Sequence, residues 1–378
     1  MERISQAAAR LGRLPVRISG GVPTQDVVSL DRGDPDFSTP APIVDAMDRA
    51  LRDGYTHYGD LNGDPELRAY IAERASAYTG DRYDDSQVLI TPGSTAGLAT
   101  AIYAIAGPGD RIVLFDPTYP AYAEQAALAG ATVVRVPFRE DGGLHLEALQ
   151  ESVVGARLLV LCHPSNPTGA VFSEADLRGL AAVLEGSDTI VLADEAHADI
   201  VYDHRPYIST MGIPELRPRL VNCRSFSKTY AMAGWRLGYL IAPPELAKVI
   251  RRIHLIYNCG VNSAVQRAGL FALRTGTSLV MPMLQEYQHR RDLVVDWMRQ
   301  TGLLRGRVPE GTFYAYPHYP HPIGSVEMVR HLLRYGVCVR AGAFDGPGGE
   351  HHLRISFSTN TTDLIEGLSR LEKGLRAL

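Results

Sequence analysis

The sequence predicts an α/β fold: a mainly parallel sheet enclosed between helices, followed by a smaller α+β unit. Three observations carry that prediction. Seven short apolar runs alternate with amphipathic helical patterns between about residues 85 and 245. The runs are apolar at both parities, as strands buried on both faces must be. Beyond about residue 270 the alternation gives way to one long helical pattern and widely separated strand signals. At 378 residues the chain also exceeds one ordinary core, which favours two domains. We divide it into an N-terminal arm and part of the small domain (1–40), a large ligand-binding domain (41–270) and a small C-terminal domain (271–378).

In chain order, residues 1–17 carry arginines and alanines but also Glu2, with no cleavage-like stretch, and read as an arm or helix rather than a transit peptide. The seven apolar runs are 87–90, 111–115, 132–136, 158–161, 189–192, 220–222 and 237–241. Five of them end in polar clusters: Pro92-Gly93-Ser94-Thr95, Asp116-Pro117-Thr118-Tyr119, Asn166-Pro167-Thr168-Gly169, Asp194-Glu195, and Ser225 to Lys228. Ligands of parallel sheets bind beyond the carboxyl ends of the strands, so these clusters can converge on one cleft. A helix is expected over 278–301, strands over 312–316, 337–340 and 353–357, and a last helix over 362–378.

Bulk properties exclude several function classes. Hydrophobic residues make up 45% and charged residues 21%, the balance of an ordinary globular protein. The net charge of −4 provides no field for nucleic acid or an anionic membrane, and no apolar run reaches spanning length. Cys162, Cys223, Cys259 and Cys338 are scattered through apolar stretches without a CxxC pair. Buried free thiols in the cytoplasm are expected, with no metal site. His318 and His321 lie in a proline-rich turn without acidic or thiol partners. Asp345-Gly346-Pro347-Gly348-Gly349 lacks a preceding apolar strand and reads as a mobile connection, not a phosphate loop.

The most informative single residue is Lys228. Only three of the 38 basic residues are lysines, and Lys248 and Lys373 lie in helical patterns, whereas Lys228 sits among hydroxyls and glycines. Arginine can replace lysine as a charge but cannot form a Schiff base with a carbonyl cofactor. Ser94 and Thr95 at a helix start, with Ser225 and Arg236, make a phosphate seat; the bland reading of Arg236 is an ion pair, which Gly234 and Gly238 disfavour by permitting close backbone approach. Asp194 ends an apolar strand and needs a cationic partner, or else caps a helix. Asn166 either bonds a ring hydroxyl or completes a turn, Tyr119 stacks on a ring or fills a core, and Arg354 clamps a carboxylate or faces solvent.

Nine stretches in register resemble one family. They are Gly33 to Pro40 (GDPDFSTP), Tyr58 with Gly63 to Arg68, PGST, DPTYPAY, NPTG, DE, SFSKTYAMAGWRLGY, PEGTFYAYP and LRISFS. The order resembles the pyridoxal-phosphate-dependent aminotransferases of class I/II, on the aspartate aminotransferase fold (fold type I), over almost the whole chain. The resemblance implies an enzyme that transfers the amino group of an α-amino acid to a 2-oxo acid through a Schiff base on Lys228. It implies pyridoxal 5'-phosphate as cofactor, with Asp194 on the ring nitrogen, Asn166 on the ring hydroxyl and Tyr119 against the ring. Ser94, Thr95, Ser225 and Arg236 would surround the phosphate, Arg354 would take the α-carboxylate and Gly33 would border the substrate. Tyr58 would reach the neighbouring subunit's phosphate, implying a homodimer with shared sites.

Three departures qualify the resemblance. His197 stands where many members have a tyrosine on the ring hydroxyl, and its titration near neutrality would enter the pH response. The string DEAHAD around it resembles cystathionine β-lyase-like C–S lyases, so β-elimination, or side-chain cyclisation or oxidation, is the alternative chemistry. Ala96 and Gly97 replace the acidic-or-amide plus alanine pair common after the glycine-serine turn. Thr95 stands where one aspartate-specific branch has a lysine that reads the side-chain carboxylate, which argues against aspartate as the preferred donor. A ligand-sensing regulator built on the same domain is disfavoured, because GDPDFSTP begins at residue 33 and leaves no room for a winged helix ahead of it.

Overall fold

The computed structural model describes residues 4–11 and 26–378. Part of the expected N-terminal arm lies outside these residues; within them, Gln6–Leu11 is helical and Arg10 Nε donates to the Ala127 carbonyl at 2.7 Å. Twelve strands are present among the described residues: β1 (Val28–Ser29), β2 (Val88–Thr91), β3 (Arg111–Asp116), β4 (Thr132–Pro137), β5 (Leu158–Cys162), β6 (Ile190–Asp194), β7 (Leu220–Ser225), β8 (Gly238–Ile241), β9 (Tyr314–Ala315), β10 (Val337–Cys338), β11 (Arg340–Ala341) and β12 (Leu353–Ser356).

The seven expected apolar runs form one sheet in the order β2-β8-β7-β6-β5-β3-β4. Only β8 runs antiparallel to its neighbours. Alternate residues of the same strand feed different cores, which is why both parities are apolar. Val113, Leu159 and Val191 pack into one cluster, whereas Ile112, Leu158 and Leu192 pack into another. The strands are therefore anchored on both faces, and the loops at their carboxyl ends start from fixed positions.

The C-terminal segment builds a three-stranded antiparallel sheet, β11-β12-β9. Val28 and Ser29 pair in parallel with Val337 and Cys338, so a segment ahead of the large sheet joins the C-terminal unit. The long helix is Met281–Thr301, since Gly276–Leu279 forms a separate 3₁₀ turn. The strand expected over 337–340 divides into β10 and β11, and the last helix is Thr361–Arg376.

Two expectations fail here. The 345–349 connection is not loose. It is folded into short 3₁₀ turns, the Gly348 N–H donates to the Asp116 carboxylate at 2.8 Å, and the Thr118 N–H donates to the Asp345 carbonyl at 2.8 Å. Gly346 has φ +135°, and a Cβ there would lie 1.8 Å from Asp116 Oδ1, so the glycine allows the carboxylate to close on the loop. All four cysteines are free, but Cys259 is exposed. It ends helix Pro244–Asn258 in the left-handed region at φ +48°, which turns it out of the apolar stripe.

Candidate active site

A cavity of about 580 Å³ opens at the carboxyl ends of the large sheet, a volume suited to a small ligand. Residues from all five polar clusters line it: Ser94 and Thr95 after β2, Tyr119 after β3, Asn166 after β5, Asp194 and His197 at β6, and Ser225 and Lys228 after β7. Arg236, Gly33 and Arg354 complete the wall. Of the site residues expected from sequence, Tyr58 alone lies elsewhere. It is 87% exposed, in a surface groove with Tyr55, Leu61 and Asn262.

One corner is built for an anion. Helix Ser94–Ile105 presents its free first-turn N–H groups, with Gly93 as cap at φ +82°. A Cβ on Gly93 would sit 2.4 Å from Arg236 Nη2, so the bare glycine admits the guanidinium to the helix start. Arg236 is itself left-handed (φ +56°) and anchored by Nη1 on the Ala233 carbonyl at 2.7 Å. Gly238 lets β8 approach, since its Cβ would lie 2.8 Å from the Ser94 nitrogen. Gly234 plays no such part, because its missing side chain faces open space.

Elsewhere in the cavity wall Asp194 is enclosed. One oxygen accepts the Tyr122 hydroxyl at 2.6 Å and the other the Ala196 N–H at 3.1 Å. Burial pushes its pKa up against these two bonds, so a cation placed beside it would be strongly favoured. No helix starts at Asp194, which removes the capping role. The next residue, Glu195, is an internal anchor: it accepts from Thr210 N and Oγ1 at 2.7 Å each and pairs with Arg224 at 2.9 Å.

Lys228 is held on the short helix Phe226–Thr229, and its Nζ donates to the Gly33 carbonyl. Burial lowers its pKa to about 8; Asp34 pulls the other way, while Arg236 and Arg354 add to the lowering. His197 packs edge-on against Phe313 and Tyr314, and its buried Nδ1 has no hydrogen-bond partner. Burial, then Lys228 and Arg354, lower its pKa to about 3. The imidazole is therefore neutral across the working range, and the expectation that it titrates near neutrality does not hold.

Arg354 does not face solvent. It is 3% exposed, lies 4.3 Å over the Tyr314 ring, and donates to Asn166 Oδ1 at 3.2 Å and to the Asp31 carbonyl at 2.7 Å. Leu353 and Ile355 point to the core, so strand alternation turns Arg354 toward the cavity. Gly33 is confined: a Cβ there would lie 1.9 Å from the Tyr314 hydroxyl.

Comparison with known proteins gives this geometry a family. Residues 25–371 match the family of class I and II aminotransferases. The chain belongs to the class I and II aminotransferases. It is 35% identical to an aspartate aminotransferase of Pyrococcus horikoshii, over 93% of this chain and 91% of the relative. Its fold matches the crystal structure of an aromatic aminotransferase of the same organism, with a TM-score of 0.91 and 31% identity, covering 98% of this chain and 99% of the other. It also matches an aspartate aminotransferase of Thermotoga maritima, with a TM-score of 0.90 and 29% identity, covering 99% and 100% of the two chains.

This aminotransferase thus acts on amino acids and 2-oxo acids and uses pyridoxal 5'-phosphate, as its family does. The cavity fits that cofactor. The arginine at the bare Gly93 turn suits a phosphate, the enclosed carboxylate suits a protonated ring nitrogen, and the Lys228 amine lines the same cavity. Several residues that line the cavity were not among those expected from sequence. Tyr122 stands three residues after Tyr119 within DPTYPAY, and Tyr314 stands within PEGTFYAYP; both were visible as motif members, but nothing in the sequence pointed their hydroxyls. Arg32, Asp34, Arg340 and Phe344 also line the cavity. Among the described residues no group of three or more metal-ligating side chains could hold an ion, and no helix is long and apolar enough to cross a membrane.

Proposed function

We propose that Lys228 holds the cofactor covalently and, once displaced by the substrate's amine, moves the Cα proton during amino transfer. The observation that carries this reading is an amine with a pKa of about 8 facing the same cavity as Asp194 and Arg354. Such an amine is partly neutral near pH 7.5, and so is available as nucleophile and base. When bound, pyridoxal phosphate supplies a carbonyl for condensation and a protonated ring that accepts the electron pair left at Cα.

The remaining roles follow from position. Asp194 would keep the ring nitrogen protonated, its carboxylate oriented by the Tyr122 hydroxyl. Asn166 and neutral His197 would hydrogen-bond the ring hydroxyl, and Tyr119 would pack on the ring. Ser94, Thr95, Ser225 and Arg236 would hold the phosphate. Arg354, fixed on Tyr314, binds the substrate carboxylate as a fork, and Gly33 closes the pocket beside it. The N-terminal segment 1–40 and the small domain 271–378 then supply Gly33 and Arg354, while the large domain 41–270 supplies the cofactor seat.

The active species in this reading is a homodimer. Tyr58, Ile256 and Tyr257 are large exposed apolar side chains, and a second copy would cover them and bring Tyr58 to its partner's phosphate. Four free thiols accord with a cytoplasmic enzyme. The deciding experiment is a single turnover of holoenzyme with amino donors and no acceptor. One equivalent of the matching oxo acid, with catalysis resuming when a 2-oxo acid is added, is the expected result. Continuous release of ammonia and a β-leaving group without acceptor would instead establish elimination.

A further inference from the structure

We propose that Arg290, on helix Met281–Thr301 and outside the cavity, is a positioning residue that holds the segment 31–36 against Lys228 and Arg354. The proposal rests on the reading of those two residues as the reacting amine and the carboxylate clamp. Residues 31–34 line the cavity, yet they belong to no helix or strand. Two of their backbone carbonyls nevertheless meet the site: Gly33 accepts from Lys228 Nζ, and Asp31 accepts from Arg354 Nη2 at 2.7 Å. With no ladder of its own, the segment takes its position from contacts beyond it.

The grip is at Asp36. Arg290, 4% exposed, binds its carboxylate as a fork, with Nη1 at 2.7 Å from one oxygen and Nη2 at 3.1 Å from the other. Arg290 Nε donates to Glu286 at 2.8 Å, and Glu286 accepts the Thr361 hydroxyl at 2.7 Å, at the start of the last helix. The Phe37 ring lies 4.9 Å from the guanidinium and packs edge-on against Tyr287. The Asp36 N–H donates to the Ser358 carbonyl at 3.0 Å, and the Ser358 hydroxyl donates to the Arg32 carbonyl at 3.1 Å. Pro35 stands between this grip and the cavity. Its fixed φ, and the extended backbone it favours at Asp34, stiffen the link. A shift of Asp36 is therefore passed on to the Asp34 carboxylate and the Gly33 carbonyl. Arg291, next on the helix and equally buried, supplies a contrast. Its partners are Asp203, Asp292 and the Tyr202 ring, none of them in the segment.

The test compares Arg290→Lys, Asp36→Asn and their double variant with Arg291→Lys, the control for losing a buried fork. Lysine keeps the charge of Arg290 but cannot fork, so Asp36 and Glu286 are not left beside an apolar side chain. The first readout is the midpoint of Lys228 in the apoprotein, by competitive acylation resolved by peptide mass. The Asp34 carboxylate and the Gly33 carbonyl favour the charged amine, Arg236 and Arg354 oppose it, and His197 beside it is neutral. Loosening the segment withdraws both favourable groups, so the midpoint should fall below that of the wild type by about one unit in each single variant. The double variant should fall no further, because both changes break one contact. Arg291→Lys should leave the midpoint in place even where it lowers the melting temperature. An unmoved midpoint, a rise toward that of a free lysine, or an equal fall in Arg291→Lys overturns the proposal. The second readout is the affinity of holoenzyme for 3-phenylpropionate, a carboxylate without an amine. It should weaken about tenfold in Arg290→Lys, as for a loosened hydrogen bond to a charged group; unchanged affinity there also overturns the proposal. If wild-type holoenzyme yields no oxo acid from any donor, the transamination reading fails, while the Lys228 midpoint in the apoprotein still decides whether Arg290 holds the segment.

Discussion

Lys228 offers the sharpest quantitative prediction. Its amine should titrate near 8 in the cofactor-free protein, because burial outweighs the nearby Asp34 carboxylate and Arg236 and Arg354 reinforce it. A fall from 10.5 to about 8 corresponds to about 3 kcal/mol in favour of the neutral form. At pH 7.5 that leaves roughly a quarter of the amines neutral, against about one in a thousand for an ordinary lysine. The sign follows directly: the nucleophilic form appears as pH rises through about 8 and is fully present above it. Competitive acylation of the apoprotein between about pH 6 and 10.5, resolved by peptide mass, measures this. Lys248 and Lys373, both exposed, are the internal standards, and no other lysine complicates the map. Asp34→Asn removes a charge that favours the ammonium and should move the Lys228 midpoint lower. A Lys228 midpoint near that of a free lysine would refute the claim that this cavity prepares the amine.

Asp194→Asn preserves shape and removes the charge, so cofactor content should persist while single-turnover rates fall by about 10²- to 10³-fold; an unchanged rate in rapid mixing would reduce Asp194 to a structural residue. Gly93→Ala forces a Cβ toward Arg236 at a left-handed φ, which costs about 1–2 kcal/mol. Cofactor affinity, measured by titrating apoprotein, should drop about tenfold or more, and undiminished affinity would detach Arg236 from the phosphate. Hybrids of Lys228→Ala and Tyr58→Ala subunits should regain activity through one intact site each; proven subunit exchange without recovery would place Tyr58 outside the partner's site.

The large sheet was legible because it is buried on both faces. A strand packed between two cores must be apolar at every position, and such runs are visible one by one, as at 158–161 and 111–115. The C-terminal strands were harder to delimit. β9, β10 and β11 are two residues each, and β10 and β11 are divided at Val339, where the chain passes from pairing with β1 to pairing with β12. Such a switch of partner leaves no periodic trace. The 345–349 loop misled for a related reason. Glycine and proline announce irregular backbone, but whether that backbone moves is decided by Asp116, more than two hundred residues away.

The site divides along the same line. Residues that reach the cavity through their own position after a strand, such as Ser94, Asn166 and Lys228, were readable from local motif and topology. Residues that act through a partner were not. Tyr122 matters because its hydroxyl meets Asp194 across 72 positions of sequence. His197 shows the same limit in electrostatics: its identity suggests a group poised near neutrality, yet burial beside Lys228 and Arg354 strips that proton down to a pKa of about 3. A titratable side chain's charge is a property of its surroundings, and the surroundings here are assembled from five strand ends and a second sheet. The substrate pocket depends most heavily on that assembly. One part of the cavity is built from residues at the carboxyl ends of a single sheet, where motifs concentrate, whereas the part that carries Arg354 is closed by β11, β12 and the turn after β11. That closing wall is the part of the molecule where a change of one residue can reshape the cavity while leaving the family's motifs untouched.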